Sequence, residues 1–216
     1  QHGEWDMKNT LIAGMFLVSL AGCAHNAAVN IAPSYDVYSN YSEKVKGHYA
    51  LYVDAKEMST VAEVKGYACS AHSYPVDASS QFETSVLKTF ENLVESVEVV
   101  DRPLNGEELV AGGYRAQLVV RVKDLDIDMN VIPGFWQNKI EADIEIAASV
   151  EALNYEGKML GSTIEGDGDA EREAGSFCDG GSKAVGEAMS IAMKETMERL
   201  GERLANAVKL RTEASS

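Results

Sequence analysis

Two runs decide the fold: Leu118-Val119-Val120-Arg121-Val122-Lys123-Asp124-Leu125-Asp126-Ile127-Asp128-Met129-Asn130-Val131, and its return, Lys139-Ile140-Glu141-Ala142-Asp143-Ile144-Glu145-Ile146-Ala147-Ala148-Ser149-Val150. Both alternate apolar and polar residues with period two, the pattern of a strand with one buried and one wet face. In the first run the apolar set is Leu118, Val120 and Val122, then Leu125, Ile127, Met129 and Val131. The parity flips between Val122 and Leu125. A slip of one residue turns a strand's side chains to the other face, so one continuous strand needs a β-bulge near Lys123–Asp124. Pro133-Gly134 marks the turn, and the two runs form a long antiparallel hairpin. Its wet face carries Asp124, Asp126 and Asp128 opposite Glu141, Asp143 and Glu145. Facing carboxylates repel; such a face attracts a cationic partner, or keeps the sheet soluble and its edges unpaired.

The remaining elements are read outward from this hairpin. Tyr155-Glu156-Gly157-Lys158 turns into a further strand, Met159 to Glu165. Upstream, Tyr49–Val53 is a short strand and Val61 to Cys69 a second extended stretch. Ser80 followed by Glu83 fits a capping box, with Asp77 as another cap. Phe82, Val86, Phe90, Leu93 and Val97 then form a helical stripe. Val97–Val100 is a strand, and residues 103–114, with Asn-Gly and Gly-Gly pairs, read as a loop. The last element is a helix from Ser182 to Val208, with Val185, Met189, Met193, Met197, Leu200, Leu204 and Val208 on its apolar stripe. This order predicts an α+β fold: a two-layer sandwich with a mostly antiparallel sheet and two helices on one face. A single domain is expected over residues 47–210, with a disordered tail at 211–216.

The chain of 216 residues carries 34 acidic and 19 basic side chains, a net charge of −15. That charge argues against nucleic acid as a partner and against a polybasic membrane patch. Three cysteines are too few for a disulfide-built scaffold. Gly-x-Ser-x-Gly, His-Glu-x-x-His, Walker and complete Gly-x-Gly-x-x-Gly patterns are missing, so a non-enzymatic role without cofactor is expected.

The N-terminal region supplies an address. Met7-Lys8-Asn9-Thr10 begins a basic start, Leu11 to Leu20 is an apolar run, and Ala21-Gly22-Cys23 follows. This reads as a secretory signal peptide starting at Met7, too short for a membrane span. Leu20-Ala21-Gly22-Cys23 resembles a bacterial lipobox. The resemblance implies that Cys23 becomes the mature N-terminus and carries acyl chains such as palmitate. It also implies a permanent membrane tether, since several chains anchor where one does not. Ala24, in place of Asp, implies the outer membrane. Removing residues 1–22 removes Glu4, Asp6 and Lys8, which takes the net charge from −15 to −14. Residues 23–46 are then expected to be the lipidated cysteine and a flexible tether with a reach of roughly 75 Å. Tyr35, Tyr38 and Tyr41 recur in it every third residue, expected to dock on the domain or on a partner.

The layout of lipobox, tether, helix, long antiparallel strands and terminal helix resembles small proteobacterial envelope lipoproteins of the YajG-like and lipopolysaccharide-assembly (LptE-like) kind. It implies an outer-membrane lipoprotein facing the periplasm, with an envelope protein as partner. Two other functions stay open. One is a carrier or sensor of a small apolar or lipidic ligand between sheet and helices. The other is a divalent-cation binder using the acidic rows.

Export leaves Cys69 and Cys178 in an oxidising compartment, where a disulfide is expected; the alternative is a metal site from Cys69, His72 and Cys178. Glu165, Asp167, Asp169 and Glu171 alternate like Ca²⁺ ligands, or form a solvated strand end. Ile132-Pro133-Gly134-Phe135-Trp136 is an unusually apolar hairpin tip. Phe135 and Trp136 are expected to fold back over the end of the sheet; the alternative is insertion into a partner or the lipid interface.

Overall fold

A computed structural model describes residues 23–28, 37–65 and 68–212. The expected signal peptide, Tyr35 and residues 213–216 of the expected tail lie outside the described residues. Eight strands form one mixed sheet: β1 (Cys23–Ala24), β2 (Val45–Asp54), β3 (Ser59–Lys65), β4 (His72–Asp77), β5 (Val94–Val99), β6 (Ala116–Ile132), β7 (Lys139–Asn154) and β8 (Gly157–Glu173). The helices are α1 (Ser79–Leu93), α2 (Gly106–Ala111), α3 (Gly180–Ala205) and α4 (Val208–Thr212).

β6 organises the sheet because it is long enough to border two neighbours on one edge. Its first half pairs with β2, from Tyr49↔Ala116 to Asp54↔Arg121, and β5 lies beyond β2. Its second half pairs with β3 through Val64↔Met129, followed outward by β4 and β1. The other edge takes β7 along its whole length, and then β8. The expected bulge is present: Val122 pairs with Ala148 and Asp124 with Ala147, leaving Lys123 unpaired. It moves the apolar set back onto the inner face, so Leu125, Ile127 and Met129 stand over Ile146, Ile144 and Ala142.

The expected mostly antiparallel sheet is corrected to a mixed one. Pairs β1–β4, β2–β5, β2–β6 and β3–β6 are parallel; β3–β4, β6–β7 and β7–β8 are antiparallel. Parallel neighbours need crossover connections. Here α1 carries the chain across between β4 and β5, and α2 between β5 and β6.

Several boundaries also move. The stretch Val61 to Cys69 is β3 followed by a separate turn, and β4 begins at His72. The stripe through Val97 is cut at Leu93, where β5 takes over. The Ser80–Glu83 box does not form: the cap is Ala78, and Asp77 accepts from the Ser79 amide (3.2 Å) instead. The expected loop 103–114 contains α2, closed by a capping box between Asn105 and Glu108. β8 runs to Glu173, eight residues beyond the expected end. The terminal helix stops at Ala205, and Val208, 61% exposed at the start of α4, is no part of its stripe.

One apolar core joins the inner face of the sheet to α1 and α3. Met189, Met193, Met197, Leu200 and Leu204 of α3 are fully buried there, as are Phe82, Val86 and Phe90 of α1. α3 lies close on β8. A Cβ at Gly168 would stand 2.1 Å from the Ala188 carbonyl oxygen, and one at Gly166 would stand 2.2 Å from Thr196 Oγ1. Only the missing side chains allow that approach.

Candidate functional site

One end of the molecule gathers features the core does not consume. The β6–β7 turn, Pro133 to Asn138, lies beside the turn from Ala174 to Cys178, and the Ala174 amide donates to the Asn138 carbonyl (2.9 Å). Cys178 is disulfide-bonded to Cys69, with Cα atoms 5.8 Å apart. Cys69, Cys178, Trp136, Gln137 and Asn138 border one concavity. The metal alternative at Cys69, His72 and Cys178 is therefore corrected, because both thiols are used by the S–S bond. Both cysteines have left-handed backbone, φ 62° and 58°.

The expectation that Phe135 and Trp136 fold back as core is corrected. They are 91% and 90% exposed, and touch each other edge to face with ring centroids 4.9 Å apart. The turn that carries them extends past the last sheet pair, Ile132↔Lys139, so no inner face lies beneath them. Phe177, which the sequence reading passed over, is 74% exposed in the neighbouring turn. Its signal was available: an aromatic residue in the uncharged loop Gly175-Ser176-Phe177 is the same anomaly as Phe135-Trp136.

Cys23 reaches this end. Cys23 pairs in register with His72, and Ala24 with Ser73. The strand direction continues as His25 and Ala27 donate to the carbonyls of Ser73 (3.0 Å) and Pro75 (3.2 Å). The His72 amide donates back to the Cys69 carbonyl (2.9 Å). The His25 and His72 rings stack and share a hydrogen bond (Nε2 to Nδ1, 3.1 Å), and the Tyr74 ring also stacks with His25. The buried Tyr74 hydroxyl donates to the Cys178 carbonyl (2.8 Å). Burial, with Asp179 as a second cause, pushes its pKa up to about 12. A Cβ at Gly181 would strike that ring at 2.4 Å, which explains a glycine in the first turn of α3.

The described part of the expected tether is docked rather than free. Asn206 accepts from the Asn40 amide (2.8 Å) and donates to the Tyr38 carbonyl (3.2 Å). Arg211 donates to the Glu43 carbonyl (3.0 Å) and lies 4.0 Å over the Tyr41 ring. Val37 sits over Gly201, where a Cβ would meet its side chain at 2.6 Å. Arg211 and Thr212, expected in the tail, belong to α4.

The acidic rows assemble across three strands. Asp126, Glu145 and Asp167 form one rung, and Asp128, Asp143 and Asp169 the next, around a concavity of about 280 Å³. Lys65 pairs with Asp128, and Lys139 with Glu171. The carboxylates from Glu165 to Glu171 thus stand within a strand, not at a strand end. Among the described residues, no three of His, Cys, Asp and Glu converge in an arrangement that could hold a metal ion. No described helix is long and apolar enough to cross a membrane.

No protein-family model matches the chain, and no curated protein matches it. Solved structures of similar shape include a Xanthomonas campestris protein of the DUF330 family model, 13% identical, with a TM-score of 0.44 over 89% of this chain and 99% of that one. A putative neuraminyllactose-binding hemagglutinin homolog from Helicobacter pylori is 10% identical, with a TM-score of 0.49 over 87% and 100%. A minor lipoprotein from Acinetobacter baumannii is 9% identical, with a TM-score of 0.40 over 73% and 90%.

Proposed function

We propose that this chain is a bacterial envelope lipoprotein, anchored in the outer membrane through acyl chains on Cys23 and facing the periplasm. It acts without catalysis, as an accessory or assembly partner of an envelope complex. The observation that carries the reading is the lipobox Leu20-Ala21-Gly22-Cys23, whose cysteine heads β1 against His72. Ala24 supports the outer membrane as the address. The acidic ladder is a surface that supports a partner-binding role, since it does not serve the core. Mass spectrometry of the protein extracted from native membranes is expected to find an acylated Cys23. A Cys23→Ser variant is expected to lose the acyl modification; an unmodified Cys23 in the parent protein would defeat the reading. Crosslinking in intact cells, followed by pull-down, tests the partner.

A second reading, a carrier of a small apolar ligand, is favoured by a concavity of about 380 Å³ between β2, β5 and α1. Leu51, Val53, Leu87 and Val99 line it with Glu83 and Asp101, a size and mixture that suit small ligands. Native mass spectrometry of gently extracted protein showing only the bare acylated chain would remove this reading.

A further inference from the structure

We propose that the aromatic end is a bilayer-contact surface: Phe135, Trp136 and Phe177 seat in the headgroup region of the membrane that holds Cys23. The inference rests on the lipid-anchored reading of Cys23 and adds an orientation to it. Three observations converge. The two neighbouring turns expose three large aromatic side chains, one of them the amphipathic Trp that suits a membrane interface. Residues 133–138 and 174–178 carry no charge, in a chain where 25% of residues are charged. The first charge back along β7, Lys139, stands between Glu171 and Glu173, and the acidic rungs begin further along the strands.

The third observation concerns where the chain enters. Cys23 lies one strand spacing from His72, about 4.8 Å, and His72 closes a turn onto Cys69. Cys69 is bonded to Cys178, beside Trp136. Acyl chains on Cys23 therefore enter the bilayer next to the aromatic turns, and β1, docked on β4, leaves little slack. With a net charge of −14 from Cys23 onward, attraction to anionic lipid contributes nothing. The contact is apolar, and zwitterionic lipid suffices.

Trp136 is the one Trp downstream of Cys23, and with Cys69 and Cys178 bonded, Cys23 is the one free thiol from residue 23 on. Coupling that thiol to a maleimide lipid in phosphatidylcholine vesicles anchors the chain whether or not cells acylate it. Brominated phosphatidylcholine in the vesicles is expected to quench Trp136 about two-fold, as for a group lying ~5–10 Å into the headgroup–acyl boundary. In a Trp136→Phe background, Phe177→Trp is expected to be quenched likewise. Tyr155→Trp, at the far end of β7, is expected to stay unquenched, since 16 residues of strand separate it by a contour of about 50 Å.

Equal quenching at Tyr155→Trp, or none at Trp136, overturns the surface. If Trp136 stays unquenched and a photo-crosslinker at position 136 captures an envelope protein in cells, the end is a protein interface and the proposal fails. An acylated Cys23 together with an unquenched Trp136 removes the surface and leaves the anchor. A free Cys23 thiol in native membranes together with a quenched Trp136 removes the anchor and leaves the surface.

Discussion

Gly168→Ala is the most direct test of how α3 sits on the sheet. The new Cβ would stand 2.1 Å from the Ala188 carbonyl oxygen and 2.5 Å from the Ala192 amide nitrogen. Both are backbone atoms in mid-helix, so no flexible side chain can yield. Atoms prefer separations of about 3.5–4.0 Å, so the helix must lift by about 1 Å, and a gap of that size forfeits a quarter to a half of each contact it opens. Overpacking of this kind costs about 1–3 kcal/mol. Loss of glycine freedom in the unfolded chain returns about 0.4–1 kcal/mol. The expected net loss is about 1 kcal/mol, or about 2–4 °C in Tm for a domain of this size. Urea unfolding followed by circular dichroism measures it, with Gly106→Ala as the control. Gly106 opens α2 and has nothing nearer than 3.7 Å, so its variant is expected to be neutral or slightly stabilised. A Gly168→Ala protein as stable as the parent would refute the close seating of α3 on β8.

The disulfide closes a loop with a sequence separation of 109, worth about 4.8 kcal/mol in the chain-entropy model; reduction is expected to lower the urea midpoint accordingly. Because both positions are left-handed, Cys69→Gly with Cys178→Gly is expected to unfold later than the paired serine variant, by about 1–2 kcal/mol per site. On the acidic ladder, Asp143 faces Asp128 and Asp169 directly. Asp143→Asn is expected to stabilise by about 0.2–1 kcal/mol at low salt, and less as salt screens the rung. Glu108 is held down to about 2 by hydrogen bonding from Arg102 and the Asn105 amide. Its folded pKa lies below its unfolded one, so its contribution is present above about pH 4.5 and is lost as pH falls through about 2. Arg102→Gln is expected to raise that pKa, read by NMR titration of the Glu108 carboxyl.

The β6–β7 hairpin was legible in the sequence down to its bulge, because both strands have one wet face and a parity flip admits few explanations. β2 and β5 were legible as strands but not as parallel neighbours, since pairing partners leave no mark on a short, half-buried run. α2 was missed although Asn105 and Glu108 spell a capping box, because Asn-Gly also spells a turn and a helix of six residues has almost no periodicity. Gly166 and Gly168 alternate with the carboxylates of β8, and their purpose appears only when α3 is seen against them. At the candidate site, Cys69, Cys178, Phe135 and Trp136 were all visible as anomalies. Their company with Phe177, His72 and Cys23 follows from β1 and the disulfide, which join segments far apart in the chain.

The seating of residues 23–28 on β4 and of 37–44 on the end of α3 gives the protein a stowed length. Docked termini of this kind open at free energies far below global unfolding. A pull on Cys23 loads first the few backbone bonds to Ser73 and Pro75, then the clasp of Asn206 and Arg211. Once those give way, the segment up to Lys44, just before β2, can extend to roughly 70 Å, while the disulfide still bolts the β4 region to the start of α3. The molecule then behaves as a spooled mooring line, which lengthens under tension before the folded body feels the load.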